Sequence, residues 1–206
     1  QAAWSPSSLD AIVSLARLLQ SQGNISESQA LIAEAFQLAL GAESSQWDKV
    51  SIAAAAVRLA LQRDDLAAAH RWWEQGQFEE VPHTVSLENY PYHVLEYLLL
   101  TQARYLLAVG RHQADLLRLQ QALELLKSSF PKAEQFKRVS SQIEILVLQA
   151  IIEYALGEED QAVHTLLNAL ALGEIEDYRR IYLDEGQTMV ELLALCQNEQ
   201  RKSGAF

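Results

Sequence analysis

Residues 53–76 read AAAAVRLALQRDDLAAAHRWWEQG. Two apolar stretches flank a hydrophilic break at residues 62–65. Counted from Asp64, Ala53, Val57 and Ala60 stand eleven, seven and four residues before it, and Ala69, Trp73 and Gly76 stand five, nine and twelve after it. Each set falls on one face of a helix. The segment therefore predicts two helices folded back on one another across a turn at Asp64. Small residues on the shared face let the two axes approach, and the large one fills the groove beside them.

The same spacing recurs around Gly23, Gly110 and Gly157, at intervals of 41, 46 and 47 residues. The leading faces are Ile12, Ala16 and Leu19; Leu99, Ala103 and Leu106; and Leu146, Ala150 and Glu153. The trailing faces are Ser28, Ile32 and Ala35; Asp115, Leu119 and Ala122; and Ala162, Leu166 and Ala169. Asp115 and Glu153 are the polar exceptions. The turn residue closes a helix in the left-handed backbone region, which favours glycine and tolerates aspartate. Four helix-turn-helix repeats follow, at about 7–41, 46–76, 92–129 and 132–173. A C-terminal cap spans 175–200, made of a short amphipathic piece to Leu183, a stop at Asp184-Glu185-Gly186 and a last helix from about Thr188 to Glu199. Pro82 and Pro91 mark an irregular connection over residues 77–91, and Ser128–Pro131 a second break between repeats three and four. The whole reads as one repeat domain, 1–206, with its last six residues frayed.

Composition agrees. The 206 residues include 29 Ala and 34 Leu against 8 Gly and 4 Pro, which favours helix over sheet. A net charge of −11 repels phosphate backbones, so direct nucleic-acid contact is not expected. No apolar run is long enough for a membrane span, and one cysteine, Cys196, makes no disulfide framework. A cytoplasmic location is the expectation. A chain that opens on Gln1 reads as a fragment or a processed product.

The turn-anchored pattern resembles tetratricopeptide (TPR) repeats, with a longer period. At that period it looks like the sensor region of MalT-like, LuxR-family ATP-dependent transcriptional regulators. Four stretches carry the likeness: Ala55–Trp73, Leu95–Gly110, Gln142–Asp160 and Tyr178–Leu193. The last, YRRIYLDEGQTMVELL, holds the aromatic-Arg-x-x-aromatic-Leu-Asp-Glu-Gly run that closes the array in that family. The resemblance implies an all-α, right-handed superhelix that senses an effector or binds a partner. In complete members an ATP-binding module precedes this region and a DNA-binding helix-turn-helix follows. This sequence has no GxxxxGK[ST] phosphate loop, and seven residues after Glu199 are too few for a DNA-reading helix-turn-helix. Those other modules of a full-length regulator are partners that the resemblance implies.

Six residues before the four turns stand Arg17, Arg58, Arg104 and Ile151. In stacked helix pairs the first helices line the concave face, where equivalent positions form a column. Three guanidiniums there make a cationic stripe suited to carboxylate, phosphate or sugar hydroxyls. Tyr97 and Tyr154 flank it on the same face. The candidate site is therefore Arg17, Arg58, Tyr97, Arg104 and Tyr154, for a small effector or a protein or peptide partner. The plainer alternative pairs each arginine with a carboxylate of a neighbouring helix.

Other chemistry finds little support. None of the five histidines pairs at i, i+4 for a metal, and His70 with Glu74 reads as a solvated helix face. Ser/His/Asp catalysis lacks a GxSxG elbow. Glu158, Glu159 and Asp160 suit a helix N-terminus. Trp72 and Trp73 read as packing residues, and Cys196 as a small buried one. No enzyme activity, cofactor or metal is expected. A stand-alone repeat scaffold for a protein or peptide partner is the alternative to a regulator's sensor domain.

Overall fold

A computed structural model describes residues 6–41, 46–78, 92–174 and 178–202. The expected irregular connection, with Pro82, His83 and Pro91, lies almost wholly outside the described residues, as do residues 175–177 and 203–206. Among the described residues there are ten helices and no strand. The helices are α1 (Pro6–Ser21), α2 (Ile25–Ala39), α3 (Gln46–Leu61), α4 (Leu66–Gly76), α5 (Tyr92–Gln113), α6 (Leu116–Gln135), α7 (Val139–Ala155), α8 (Glu159–Glu174), α9 (Arg180–Leu183) and α10 (Gly186–Lys202). They fall into two units, one ending at Thr101 and one starting at Gln102, so the boundary lies inside α5.

In the first unit α1 packs on α2 and α3, α2 on α3, and α3 on α4. The predicted faces make the contacts. Ala16, Ile32, Ala35, Ala53, Val57, Ala60, Ala69 and Trp73 are buried, and the Ser28 hydroxyl donates to the Ala16 carbonyl at 2.7 Å. The alanine-rich face of α3 supplies four consecutive buried alanines, Ala53 to Ala56, so this helix is covered on more than one side. Trp73 stacks on Phe78 with ring centroids 4.6 Å apart. In the second unit α7 is the central rod, packed against α6, α8, α9 and α10. Its buried residues run almost without interruption from Ser141 to Glu153. Cys196 is buried on α10, facing the Val163 carbonyl.

Five turns share one hydrogen-bond pattern. A left-handed residue closes each leading helix: Gly23, Asp64, Ala114, Lys137 and Gly157. The next residue's N–H donates five positions back, from Asn24 to Leu19, Asp65 to Ala60, Asp115 to Gly110, Arg138 to Ala133 and Glu158 to Glu153, all at 2.9–3.0 Å. This closure satisfies carbonyls that the helix end leaves unpaired. The residue after the left-handed one starts the next helix: Asp65 accepts from the Ala68 N–H, and Asp115 from those of Leu117 and Arg118.

The third turn corrects the expected register. Its left-handed residue is Ala114, at φ 52°, whereas Gly110 lies inside α5. Asp115 thereby ceases to be a polar intruder on a packing face and becomes a helix cap. Five, nine and twelve residues beyond Ala114 stand Leu119, Leu123 and Leu126, all buried. An alanine held left-handed carries a Cβ clash that glycine lacks. Ala114→Gly is therefore expected to raise the unfolding free energy by about 1 kcal/mol, read as a higher urea midpoint at unchanged slope. A lower midpoint contradicts the assignment.

The expected break at Ser128–Pro131 is absent, because α6 continues through Pro131 to Gln135. The proline ring is exposed, while Leu126, Ser129 and Ala133 continue the buried stripe past it. Packing of that stripe against α7 offsets the roughly 3 kcal/mol that an interior proline costs a helix. The Ser128 and Ser129 hydroxyls both donate to the Leu125 carbonyl, at 2.8 and 2.7 Å, just before the proline. Past it, the Gln142 side-chain amide donates to the Ala133 carbonyl at 3.2 Å and ties the last turn of α6 to α7.

The cap follows its expected outline, with a stop and restart at Asp184-Glu185-Gly186. Among the described residues of the amphipathic piece, 180–183 are helical, and the last helix starts at Gly186. Tyr182 anchors the short helix by donating its hydroxyl proton to the Ala169 carbonyl at 2.7 Å.

Candidate functional site

The five candidate residues lie on the first helices of their pairs, and each unit treats its members differently. In the first unit Arg17 is exposed on α1, and Arg58 is half-buried on α3. Both stand six residues before their left-handed turn residue. The Arg58 guanidinium lies 4.3 Å from the centre of the Tyr97 ring. Its Nε donates to Thr101 Oγ1 at 2.8 Å, and that hydroxyl donates in turn to the Tyr97 carbonyl at 2.8 Å. Arg58 and Tyr97 are thus held as one rigid cation–aromatic surface. The reading from sequence missed Thr101. Its signal is a lone hydroxyl closing the run YLLLT, one helical turn after Tyr97, and it is fully buried.

In the second unit the chain's own C-terminal segment meets the candidates. Arg104 Nε donates to Glu144 Oε1 at 3.1 Å, and its Nη2 forms an ion pair with Glu185 Oε1 at 2.7 Å. Burial of this guanidinium pulls its pKa down, but Glu185 and Glu144 outweigh that and leave it above the ordinary arginine value. The Tyr154 hydroxyl sits 3.5 Å from Glu191 Oε2 on α10. Two turns beyond Arg104, Arg111 Nη2 donates to Thr188 Oγ1 at 3.1 Å. Three residues of the cap, Glu185, Thr188 and Glu191, therefore reach α5 and α7.

With the third turn at Ala114, Arg104 stands ten residues before it rather than six, which is one helical turn earlier than Arg17 and Arg58 relative to theirs. For Arg104 the carboxylate-pairing alternative is the one observed. Val147 and Ile151 occupy the corresponding positions in the fourth pair and are buried apolar residues.

Two further features separate structure from chemistry. Glu153, the other polar exception, is 2% exposed and lies in the last turn of α7. Burial pushes its carboxyl up from the usual range, against a hydrogen bond from Thr165 and the nearby charges of Lys127 and His164; Glu158 pushes it further up. His70 and Glu74 approach to 3.5 Å with both side chains more than half exposed, the solvated pair expected. Among the described residues no three His, Cys, Asp or Glu side chains converge as a metal site, and no helix is long and apolar enough to cross a membrane.

The geometry is that of a helical repeat with a preorganised cation–aromatic surface on its first unit and a self-paired arginine on its second. No curated protein and no solved structure matches the chain. A family model does: that of the MalT-like TPR region, over residues 3–199. That span takes in every repeat and nearly all of the cap. The chain belongs to the family of MalT-like TPR regions.

Proposed function

We infer that this domain is the effector-sensing and partner-binding region of a MalT-like, LuxR-family transcriptional regulator. Membership of the family supports a sensing or protein-interaction role. The observation that carries the finer reading is the Arg58–Tyr97–Thr101 cluster. A guanidinium already oriented by a ring and a hydroxyl loses little freedom when it takes an anionic or polyhydroxylated ligand. Arg17 extends the same face on α1. The second unit carries its own candidates, Arg104 and Tyr154, which become open to a ligand only by exchanging Glu185, Glu144 and Glu191 for it. No bond is made or broken; the output is a change in how repeats stack, passed to neighbouring modules of the regulator.

A thermal-shift screen of a metabolite library tests the reading. A ligand at 100 times its Kd stabilises the native state by about 2.7 kcal/mol, and that shift is expected to vanish in Arg58→Glu. A ligand whose shift survives Arg58→Glu intact binds elsewhere, and the reading fails. A stand-alone scaffold remains the alternative, separated by whether the gene continues past Phe206 into a basic helix-turn-helix.

A further inference from the structure

The second helices of the first two pairs enclose a groove that the first-helix face does not use. Ile32 and Phe36 of α2 and Trp72 of α4 form its apolar walls, Ala56 and Leu59 of α3 its floor, and its volume is about 470 Å³. Phe36 and Trp72 meet edge to face, with centroids 5.2 Å apart at 77°. This is within the size range of ligand sites.

The charge of the groove is opposite to that of the molecule. Among the described residues its two ionised lining residues are Arg63 and Arg71, in a chain of net charge −11, and no described lining residue is a carboxylate. Arg63 is half-buried, and its Nη1 donates to the Leu59 carbonyl at 3.0 Å and to Gln20 Oε1, both neutral acceptors. Neither arginine forms an ion pair among the described residues. A partly desolvated cation normally has a counter-charge. Here the side chain is oriented and no described residue supplies the counter-charge, so the position is set up to receive one.

The rims say what carries that charge. Gln29 and Gln37 stand along α2 and Gln75 along α4. A primary amide both donates and accepts, which matches the alternating N–H and C=O groups of an extended backbone. The α2 wall from Ser28 to Gln37 is about 14 Å long at the helical rise, the length of about four extended residues. We propose that this groove binds an extended acidic peptide segment of about four residues. Its carboxylate meets Arg63 and Arg71, and a neighbouring apolar side chain rests on the Phe36–Trp72 edge. A small anion satisfies the arginines but leaves the amide-lined length unused.

The test is an array of N-acetylated tetrapeptide amides, with Asp or Glu compared against Asn or Gln at each position, probed with the full chain. Peptides with a carboxylate beside Leu or Phe are expected to bind at least about tenfold better than their amide counterparts, an effect of about 1.4 kcal/mol. Arg71→Gln, at an exposed side chain, is expected to lose about tenfold while its thermal melt stays unchanged, and Arg63→Gln to lose as much. Arg58→Glu is expected to leave peptide binding intact, so failure here and failure of the first-helix reading are separable. Equal binding of acidic and amide peptides, no binding at all, or full retention in Arg71→Gln overturns the proposal. Competition by succinate at the peptide's own affinity also overturns it, in favour of a small-anion site.

Discussion

Arg104→Met is expected to lower the unfolding free energy by about 3 kcal/mol. Methionine keeps most of the aliphatic stem and removes the charge. The side chains of Arg104, Glu144 and Glu185 are 23%, 19% and 9% exposed, so the pair is mostly withdrawn from solvent. An exposed pair is worth about 0–1 kcal/mol, since water screens it. Partial burial changes the balance, because the two carboxylates stay behind without a counter-charge, and that desolvation is what the substitution reveals. Glu185→Gln in the Arg104→Met background is expected to recover part of the loss, so a double-mutant cycle gives a coupling well above 1 kcal/mol. A total loss below about 1 kcal/mol means the network is no stronger than a surface pair.

The pH dependence follows from the direction of the arginine's shift. Its folded pKa is raised, so its stabilisation is complete below the ordinary arginine value and is lost only as pH rises through the still higher folded one. Between about pH 6 and 9 the deficit of Arg104→Met relative to the parent is therefore expected to stay flat. Under the proposed function, a ligand for Arg104 has to outcompete two carboxylates that the fold already supplies.

The repeat architecture was legible because two periods coincide in this sequence. The helical period places Ala53, Val57, Ala60, Ala69, Trp73 and Gly76 on buried faces, and the turn spacing repeats them. The pairs around Gly23, Asp64 and Gly157 read correctly, since their turn residues are the left-handed ones. The third pair was misread by four residues. A shift of four rotates a helix by 400°, about 40° from a full turn, so the apolar stripe stays nearly in phase and Leu119 and Ala122 remain buried in either register. At four of the five turns the left-handed residue is followed by Asn, Asp or Glu, with Lys137-Arg138 the exception, and Ala114-Asp115 fits that pattern where Gly110-Arg111 does not.

The site was legible only as far as position goes. Arg58 and Tyr97 do meet, because a shared face of neighbouring first helices requires it. The partners of Arg104 were not, because Glu144 lies two helices on and Glu185 in the closing turn, 40 and 81 residues away in sequence. Nor was the groove between α2 and α4. Its arginines stand at the start of one turn and on the outer side of α4, positions that a search for buried stripes passes over as solvated.

Gly110→Val, at the position misread as a turn, is expected to destabilise the chain by about 3 kcal/mol, at the upper end for overpacking. Gly110 sits in the body of α5, where glycine weakens a helix by up to about 1 kcal/mol relative to alanine. Propensity alone therefore predicts that replacing it helps. Packing predicts the reverse. A Cβ at this position lies 2.7 Å from Leu119 Cδ2 and 2.8 Å from its Cγ, with the Asp115 carbonyl at 3.2 Å. Leu119 is 3% exposed, and its Cγ cannot retreat as a free methyl end can. The order of stability is thus expected to be glycine above alanine above valine, measured by urea unfolding. Leu119→Ala in the Gly110→Val background is expected to cost far less than the two single changes summed, since the valine fills the space the leucine vacates. Strict additivity, or a stabilised Gly110→Ala, rules out the close approach of α5 and α6 as the reason for this glycine.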